Sequence, residues 1–233
     1  MNALLRLRNA LLQLFYPHVC AGCGTDVLPA AGELCLLCLN ELPVTGFEGH
    51  PDNPVEKIFA GRLKLEAASA QYYFIKHTPL QFILHQFKYR GNQQLGLQLG
   101  MLLGNALQRA QRFQTVDLIV PMPLYRARMR KRGYNQAALL CEGIAAVLGK
   151  PVCTDLVYRN ASTETQTTKS RIERWANMQG KFSLGHPAIA ENRHLLLVDD
   201  VVTTGATLEA CGSVLLEIPG VRLSVVTLCF ASS

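Results

Sequence analysis

The alternation of apolar and polar positions along the chain predicts an α/β protein. Short runs rich in β-branched and aromatic residues predict strands at 68–74, 116–120, 152–157, 195–198 and 223–230. Apolar residues at helical spacing predict helices at 80–87, 93–110, 135–148, 170–178 and 206–216. Strands and helices that alternate in this order typically form a mostly parallel sheet covered by helices. We therefore expect one domain of this class over residues 46–233.

A different pattern occupies residues 1–45. The first 16 residues are leucine-rich and amphipathic, and Pro17 ends the predicted helix. We expect this helix to pack on the chain itself or on another subunit, with attachment to a membrane surface as the alternative. Glycines and prolines between residues 43 and 54 mark a connector to the larger domain.

Composition limits the class of protein. Apolar residues make up 49% of the 233 positions and charged residues 17%, which excludes a disordered or fibrous chain. The net charge of +6 favours anionic partners such as phosphates, nucleic acid or an acidic membrane surface. No apolar run reaches the length of about 18 residues that a transmembrane helix needs. Because Arg6 and Arg8 interrupt any signal-peptide core, we expect the protein to be cytoplasmic.

Four cysteines form two closely spaced pairs near the N-terminus. Cys20 and Cys23 make the first pair, Cys35 and Cys38 the second, and residues 24–34 lie between them. Two such pairs can bring four thiolates around one zinc ion, and four protein ligands make a structural site with no open position. A redox pair is the alternative. The remaining cysteines lie alone in apolar stretches and are expected to be buried: Cys141, Cys153, Cys211 and Cys229.

The segment LLLVDDVVTTGATL, residues 195–208, combines an apolar run with two acids and a hydroxyl-rich turn. It predicts a buried parallel strand that ends at Asp199 and Asp200 and then turns into a helix. The turn comprises Thr203, Thr204, Gly205, Ala206 and Thr207. Backbone amides at a helix N-terminus, together with threonine hydroxyls, make a phosphate site.

The two carboxylates beside this loop need partners of their own. Ribose hydroxyls or the water shell of a magnesium ion would suit Asp199 and Asp200, and a sugar phosphate supplies both kinds of group. In open parallel sheets, ligands bind beyond the carboxyl ends of the strands, where this loop is expected to lie. The alternative is an ordinary strand-to-helix turn in which one polar residue caps the helix.

This segment resembles the phosphoribosyl pyrophosphate (PRPP) motif of the type I phosphoribosyltransferases. Three further segments resemble the competence protein F family, also called ComF or GntX-like proteins: HQFKYRGN (85–92), VPMPLYRARMRKRGYNQ (120–136) and RNASTETQTTKSRIERWANMQGKF (159–182). The resemblance implies a phosphoribosyltransferase-like parallel sheet with helices on both faces, joined to an N-terminal zinc-ribbon-like segment. It covers nearly the whole chain except the leading helix.

The resemblance also implies roles for particular residues. Asp199 and Asp200 would hold the ribose 2- and 3-hydroxyls of PRPP, and residues 203–207 would hold its 5-phosphate, with Mg²⁺ bound alongside. Residues 120–124 match the place of the pyrophosphate loop, and residues 159–174 match a mobile hood. The residues expected to bind pyrophosphate or another anion are Pro121, Met122, Arg126, Arg130 and Arg132.

The basic segments leave two functions open. The arginine-rich run at 126–132 suits both pyrophosphate and a nucleic-acid backbone. Lys88, Tyr89 and Arg90 predict either a platform for single-stranded nucleic acid or an ordinary helix surface. The first hypothesis is a PRPP-binding protein, acting in DNA uptake, natural transformation or use of external DNA, with competence or DNA-processing proteins as partners. The second is a non-catalytic single-stranded DNA-binding competence factor whose PRPP pocket is a relic or a sensor.

The sequence leaves open whether the protein is an enzyme. If the chain turns over PRPP, a nitrogen nucleophile would displace pyrophosphate from the anomeric carbon, which makes it a glycosyltransferase. No residue in the sequence stands out as a general base, and the catalytic residues and the acceptor are not identified.

Overall fold

A computed structural model describes residues 18–30, 32–160 and 180–231. The predicted helices at 1–16 and 170–178, and most of the predicted hood at 159–174, lie outside the described residues. The strands are β1 (Ala67–Tyr73), β2 (Leu118–Pro121), β3 (Val157–Arg159), β4 (Phe182–Leu184), β5 (His194–Val202) and β6 (Arg222–Phe230). The helices are α1 (Leu36–Asn40), α2 (Pro54–Phe59), α3 (Pro79–Tyr89), α4 (Gln93–Arg109), α5 (Arg126–Arg132), α6 (Gln136–Leu148) and α7 (Ala206–Leu215).

Four strands form a parallel sheet in the order β1-β6-β5-β2. The register pairs Pro121 with Val198 on one side of β5 and Asp199 with Thr227 on the other. A separate antiparallel pair, β3 and β4, flanks this sheet. Parallel strands place all their carboxyl ends at one edge, so the ends of β2 and β5 lie side by side.

Helices cover both faces of the sheet. On one face, buried residues of α3, α4 and α6 pack on Leu196 and Val226, and on the other, residues of α2 and α7 pack on Leu197 and Val225. Alternate residues of β5 thus enter two different cores, which explains the continuous apolar run before Asp199. The predicted parallel sheet with helices on both faces is confirmed.

Glycines set the closest helix contact, between α4 and α6. A Cβ added to Gly100 would lie 2.4 Å from the carbonyl oxygen of Leu140, and one added to Gly143 would lie 2.4 Å from that of Leu97. The two backbones therefore approach at a distance that only glycine permits. This contact holds α6 so that its first residue, Gln136, reaches the edge of the sheet.

The predicted strand at 152–157 is wrong. Only Val152 forms a bridge, to Ile119, and the strand that follows begins at Val157 and belongs to the β3–β4 pair. As part of this bridge the backbone N–H of Cys153 donates a hydrogen bond of 2.9 Å to the carbonyl oxygen of Ile119, and Cys153 and Leu156 are both buried in the core. Beyond the bridge, the apolar character of the segment reflects packing rather than strand pairing, and a short apolar run does not distinguish the two.

The cysteine-rich segment packs on α3 and α4. Cys20, Cys35 and Cys38 belong to the same buried cluster as residues of those helices. Glu33 accepts a hydrogen bond of 2.7 Å from the side chain of Asn92, and its backbone N–H donates one of 2.8 Å to Gln98 Oε1. The segment is thereby attached to the helices that border the sheet edge. Among the helices described, none combines the length and the apolar character that crossing a membrane requires.

Candidate functional site: a charged cavity at the carboxyl edge of the sheet

A cavity of about 290 Å³ opens at the carboxyl ends of β2 and β5. Helices α3 and α6, the turn after β2 and the strand β3 complete its walls. The lining residues are Lys88, Met122, Pro123, Leu124, Arg132, Asn135, Gln136, Ala137, Arg159, Asp199, Asp200 and Thr207. The fold thus brings part of the predicted PRPP motif together with part of the predicted pyrophosphate loop.

The two acids occupy a different position in the strand from the one predicted. Strand β5 continues through Asp199 and Asp200 to Val202, and Asp199 pairs with Thr227 of β6. The side chains are nevertheless only partly exposed at the cavity wall. The backbone N–H of Asp200 donates a hydrogen bond of 2.8 Å to Asp199 Oδ1, and Asp200 Oδ2 lies 2.8 Å from Lys88 Nζ.

Asp199 has an unusual protonation equilibrium. Burial and the negative charge of Asp200 raise its pKa, while the N–H of Asp200, Lys88 and Arg159 lower it. The net effect raises the pKa of Asp199 to about 7. Asp199 therefore exchanges a proton close to neutral pH, and a cation or a set of ligand hydroxyls would stabilise its charged form.

The loop after β5 presents the N-terminus of α7. Thr203, Thr204 and Thr207 are exposed, and Thr207 lines the cavity. Ala206 begins the helix, and no side chain in the described ranges 18–30, 32–160 and 180–231 caps it, so these residues leave backbone N–H groups of its first turn available to a ligand.

Gly205 is required at the turn into α7. Its φ of 72° lies in the left-handed region, and an added Cβ would lie 2.6 Å from Ile58 Cγ2 and 2.8 Å from Phe59 Cε1. The loop therefore packs tightly on α2. Arg62 also braces it, donating a hydrogen bond of 3.1 Å to the carbonyl oxygen of Thr204 and pairing with Glu209.

The turn after β2 forms the part of the wall next to β5. Met122 lines the cavity, whereas Pro121 is the buried last residue of β2 and does not. The N–H of Met122 donates a hydrogen bond of 2.8 Å to the carbonyl oxygen of Val198, and its own carbonyl oxygen accepts one of 3.0 Å from Asn135 Nδ2. Two neighbouring elements thus hold this turn in place.

The basic run forms helix α5, which the pattern of the sequence did not predict. Arg126 is its first residue, and Gly133 ends it with a φ of 80°. Arg132 reaches the acid-containing cavity, while Arg130 lines a neighbouring cavity of about 560 Å³. Two of the predicted anion-binding arginines, Arg130 and Arg132, are therefore divided between two cavities, and the side chain of Arg126 lies outside the described part of the structure.

Lining residues that were not predicted for this site include Lys88 and Gln136, and Arg159 is the first residue of the segment that was predicted as a hood. Lys88 comes from α3, so only the packing of that helix places it opposite Asp200. All three residues lie in segments that resemble the competence protein F family. This resemblance was the signal in the sequence that could have assigned them to the site. Arg159 additionally lies over the ring of Phe182, at 5.7 Å from its centroid.

The four paired cysteines come together as predicted. Their Sγ atoms all lie within 4.8 Å of one another, and three of the four residues are buried. The N–H groups of Gly22 and Cys35 donate to Cys20 Sγ at 3.4 and 3.3 Å, and the N–H of Cys38 donates to Cys35 Sγ at 3.4 Å. Such hydrogen bonds stabilise thiolates, so the cluster is suited to hold a metal ion such as zinc. The other cysteines, Cys141, Cys153, Cys211 and Cys229, are buried, as predicted.

Comparison with solved structures finds phosphoribosyltransferases among the structural neighbours. The glutamine PRPP amidotransferase of B. subtilis matches with a TM-score of 0.41 and 16% identity, over 60% of this chain and 30% of that protein. The adenine phosphoribosyltransferase of Leishmania tarentolae matches with a TM-score of 0.39 and 13% identity, over 82% and 94% of the two chains. These similarities concern the fold alone.

Comparison with curated sequences gives stronger matches, although no family model matches the chain. "Competence protein F" of Haemophilus influenzae is 31% identical over 213 residues, which cover 86% of this chain and 92% of that protein. "DNA utilization protein YhgH" of Escherichia coli K12 is 34% identical over 65% of this chain and 67% of the relative. "Competence protein ComFC" of Bacillus subtilis is 27% identical over 85% and 78%. The chain therefore belongs to the competence protein F family, as the segments along its sequence predict.

Proposed function

We propose that this protein binds PRPP with magnesium in the acid-containing cavity and takes part in the use of external DNA. The observation that carries the proposal is the composition of one cavity. Asp199, Asp200 and Thr207 of the predicted PRPP motif line it together with Met122 and Arg132 of the predicted pyrophosphate segment. A sugar carrying phosphates at both ends matches this distribution of groups.

The charges of the cavity wall support the proposal. The two acids would hold the ribose hydroxyls, and the exposed N-terminus of α7 with Thr203, Thr204 and Thr207 would hold the 5-phosphate. The cationic side chains that line the cavity would neutralise pyrophosphate. Magnesium, when bound with PRPP, supplies positive charge that stabilises a departing pyrophosphate.

Turnover of PRPP would be a substitution at the anomeric carbon. A nitrogen nucleophile would form the new bond, the bond to pyrophosphate would break, and the electron pair would leave with pyrophosphate. Placement of the two reactants and neutralisation of charge would be the main contributions of the cavity.

The role in DNA use rests on the relatives. Proteins named for competence or for DNA utilization match most or two thirds of this chain at 27–34% identity. We propose that the PRPP site serves that process and that competence or DNA-processing proteins are its partners. We also propose that the cluster of Cys20, Cys23, Cys35 and Cys38 holds one structural zinc ion.

Calorimetric titration of PRPP, with and without magnesium, tests the binding proposal. Wild-type protein is expected to bind only with magnesium, and Asp199→Asn/Asp200→Asn is expected to abolish that binding. Asp26→Asn, an exposed acid of the cysteine-rich segment, is the control for loss of negative charge. A folded wild type that does not bind PRPP would refute the proposal. If wild type binds PRPP, an assay for release of pyrophosphate in the presence of candidate amines would distinguish an enzyme from a binding protein.

A second candidate function is binding of single-stranded DNA without catalysis. The observation that favours it is an exposed aromatic stack beside the cavity. The ring of Tyr89 is 62% exposed, lies 5.1 Å from the ring of His85 and is covered by Arg132 at 5.4 Å. Alternating rings and cations of this kind can bind unpaired bases and their phosphates.

Oligonucleotide binding at several salt concentrations tests this candidate. Tyr89→Ala is expected to weaken binding at every salt concentration, because base stacking is lost. Arg130→Ala is expected to reduce the salt dependence, because one phosphate contact is lost. Affinity that is absent, or independent of salt, would exclude this role. The exposed Phe82 on the same helix provides Phe82→Ala as a control for loss of an aromatic ring.

A further inference from the structure

Gln136 has a buried amide group whose donor end is unused. The residue opens α6, is 2% exposed and lines the acid-containing cavity. Arg132 Nη1 donates a hydrogen bond of 2.8 Å to its Oε1 atom, which fixes the orientation of the amide. The opposite atom, Nε2, is buried and has no hydrogen-bond partner among the residues that the structure describes.

The hydroxyl of the neighbouring Tyr134 does not provide an acceptor for both hydrogens of Gln136 Nε2. The amide of Gln136 acts to lower the pKa of Tyr134, against burial, which raises it. The Tyr134 hydroxyl itself donates to the carbonyl oxygen of Phe87. An amide nitrogen carries two hydrogens, so at least one stays without an acceptor even when the phenol oxygen is counted. Burial of a donor without an acceptor is unfavourable, and a ligand acceptor would offset that cost.

The ligand atom that meets Nε2 must be a hydrogen-bond acceptor. An amide N–H cannot coordinate magnesium, and the cations Lys88 and Arg132 line the same cavity, so an anionic oxygen fits best. The position at the start of a 13-residue helix also favours negative charge. Of the parts of PRPP, the ribose and the 5-phosphate are already proposed to lie at Asp199, Asp200 and the loop before α7, which leaves the diphosphate.

We propose that Gln136 is a ligand-binding residue whose Nε2 donates a hydrogen bond to a diphosphate oxygen. Arg132 holds the amide in place through Oε1, so the two side chains act as one unit that recognises the leaving group. The inference rests on the proposed PRPP site and assigns its diphosphate end. The same chemistry would also accept free pyrophosphate, which can therefore serve as a probe.

Two substitutions test the Nε2 donor of Gln136 independently of the rest of its side chain. Gln136→Glu keeps the acceptor for Arg132 but removes the N–H groups and adds a negative charge. Gln136→Met keeps the length of the side chain and removes both polar atoms. Gln108→Glu is the matched control, because Gln108 is exposed on α4 and is absent from the cavity wall.

The experiment is calorimetric titration of inorganic pyrophosphate and of ribose 5-phosphate, each with magnesium, into all four proteins. Gln136→Met is expected to weaken pyrophosphate binding about tenfold, and Gln136→Glu more, because a hydrogen bond to a charged group is lost. Binding of ribose 5-phosphate is expected to stay within about twofold of wild type, since its phosphate lies at the other end of the site. Gln108→Glu is expected to match wild type for both ligands.

Thermal unfolding distinguishes a binding role from a structural one. Gln136→Glu retains the partner of Arg132, and we expect its midpoint in the absence of ligand to stay near that of wild type. Unchanged pyrophosphate affinity in both variants, or equal loss for pyrophosphate and ribose 5-phosphate, would overturn the inference. If wild type binds pyrophosphate in a Gln136-dependent way but does not bind PRPP, the proposed function fails while the diphosphate contact stands. If wild type binds PRPP but not pyrophosphate, the diphosphate contact fails alone.

Discussion

The ammonium nitrogen of Lys88 lies 2.8 Å from Asp200 Oδ2, so one ion pair joins the last turn of α3 to β5. Both side chains are largely buried at the cavity wall, where the pair is screened less than it would be at the surface. Lys88 also reduces the negative potential at Asp199. A positive charge is therefore already positioned beside the acids that are proposed to bind the ribose of PRPP.

Replacement of Lys88 tests this relationship. Lys88→Met is expected to weaken PRPP binding about tenfold or more. The reason is that the charge-assisted contact between Lys88 and Asp200, worth about 1.5–3 kcal/mol, is lost. Calorimetry with magnesium present measures the effect. Arg90→Met removes a positive charge from the exposed residue that follows the same helix and is expected to have little effect. Wild-type affinity in Lys88→Met would show that the ion pair has no part in binding.

The raised pKa of Asp199 predicts a pH dependence of stability. Its folded pKa of about 7 lies above the ordinary 3.8, so the folded state holds a proton that the unfolded state has released between these values. This residue therefore destabilises the ligand-free protein as the pH rises from about 4 to 7, with the full effect above pH 7. Asp199→Asn mimics the protonated form and is expected to raise the urea midpoint at pH 8 but not at pH 4.

As the pH rises, affinity for PRPP should increase while the stability of the ligand-free protein decreases. Magnesium-dependent binding to wild type is expected to increase as the pH rises through 7, because Asp199 loses its proton and becomes charged. Calorimetry at pH 6 and pH 8 measures this change. An Asp199→Asn variant that is no more stable than wild type at pH 8 would contradict the assigned shift.

Gly205→Ala is expected to destabilise the protein and to impair PRPP binding. The substitution adds a Cβ at a φ of 72° and within 2.6 Å of Ile58, so the loop must move away from α2. Backbone strain alone costs about 1–3 kcal/mol. Gly61→Ala is the control, because Gly61 has a φ of 70° but an added Cβ would meet nothing within 4 Å. Chemical denaturation should show a larger loss for Gly205→Ala, and equal losses would argue against the packing role.

Metal analysis tests the cysteine cluster. Protein purified without added metal is expected to contain about one zinc ion per chain, since four thiolates complete a structural site. Cys20→Ser should lose the metal and unfold at a lower temperature, because the segment packs on α3 and α4. Cys153→Ser replaces a buried cysteine far from the cluster and should retain the metal. Zinc-free protein with an unchanged midpoint in Cys20→Ser would refute the assignment.

Much of the fold follows from local patterns. The helices at Gln93–Arg109, Gln136–Leu148 and Ala206–Leu215 lie within one residue of their predicted bounds, since each has a long apolar stripe and clear end signals. Helix α5 lacks such a stripe, because its sequence, RARMRKR, is almost entirely basic. The segment at 152–157 has the apolar character of a strand, but it pairs with the sheet only at the bridge between Val152 and Ile119, and burial in the core explains the rest.

The sequence by itself determined which residues carry the proposed chemistry. The spacing of Cys20, Cys23, Cys35 and Cys38 requires only a short stretch of chain to bring four thiolates together, and the acids with the threonine loop are contiguous. Only the tertiary structure decided which residues complete the cavity. Lys88, Gln136 and Asp200 meet because helices α3 and α6 pack on one face of the sheet, with α6 held in place by the glycine contact with α4. Contacts between residues so distant in sequence depend on packing, and local patterns do not encode them.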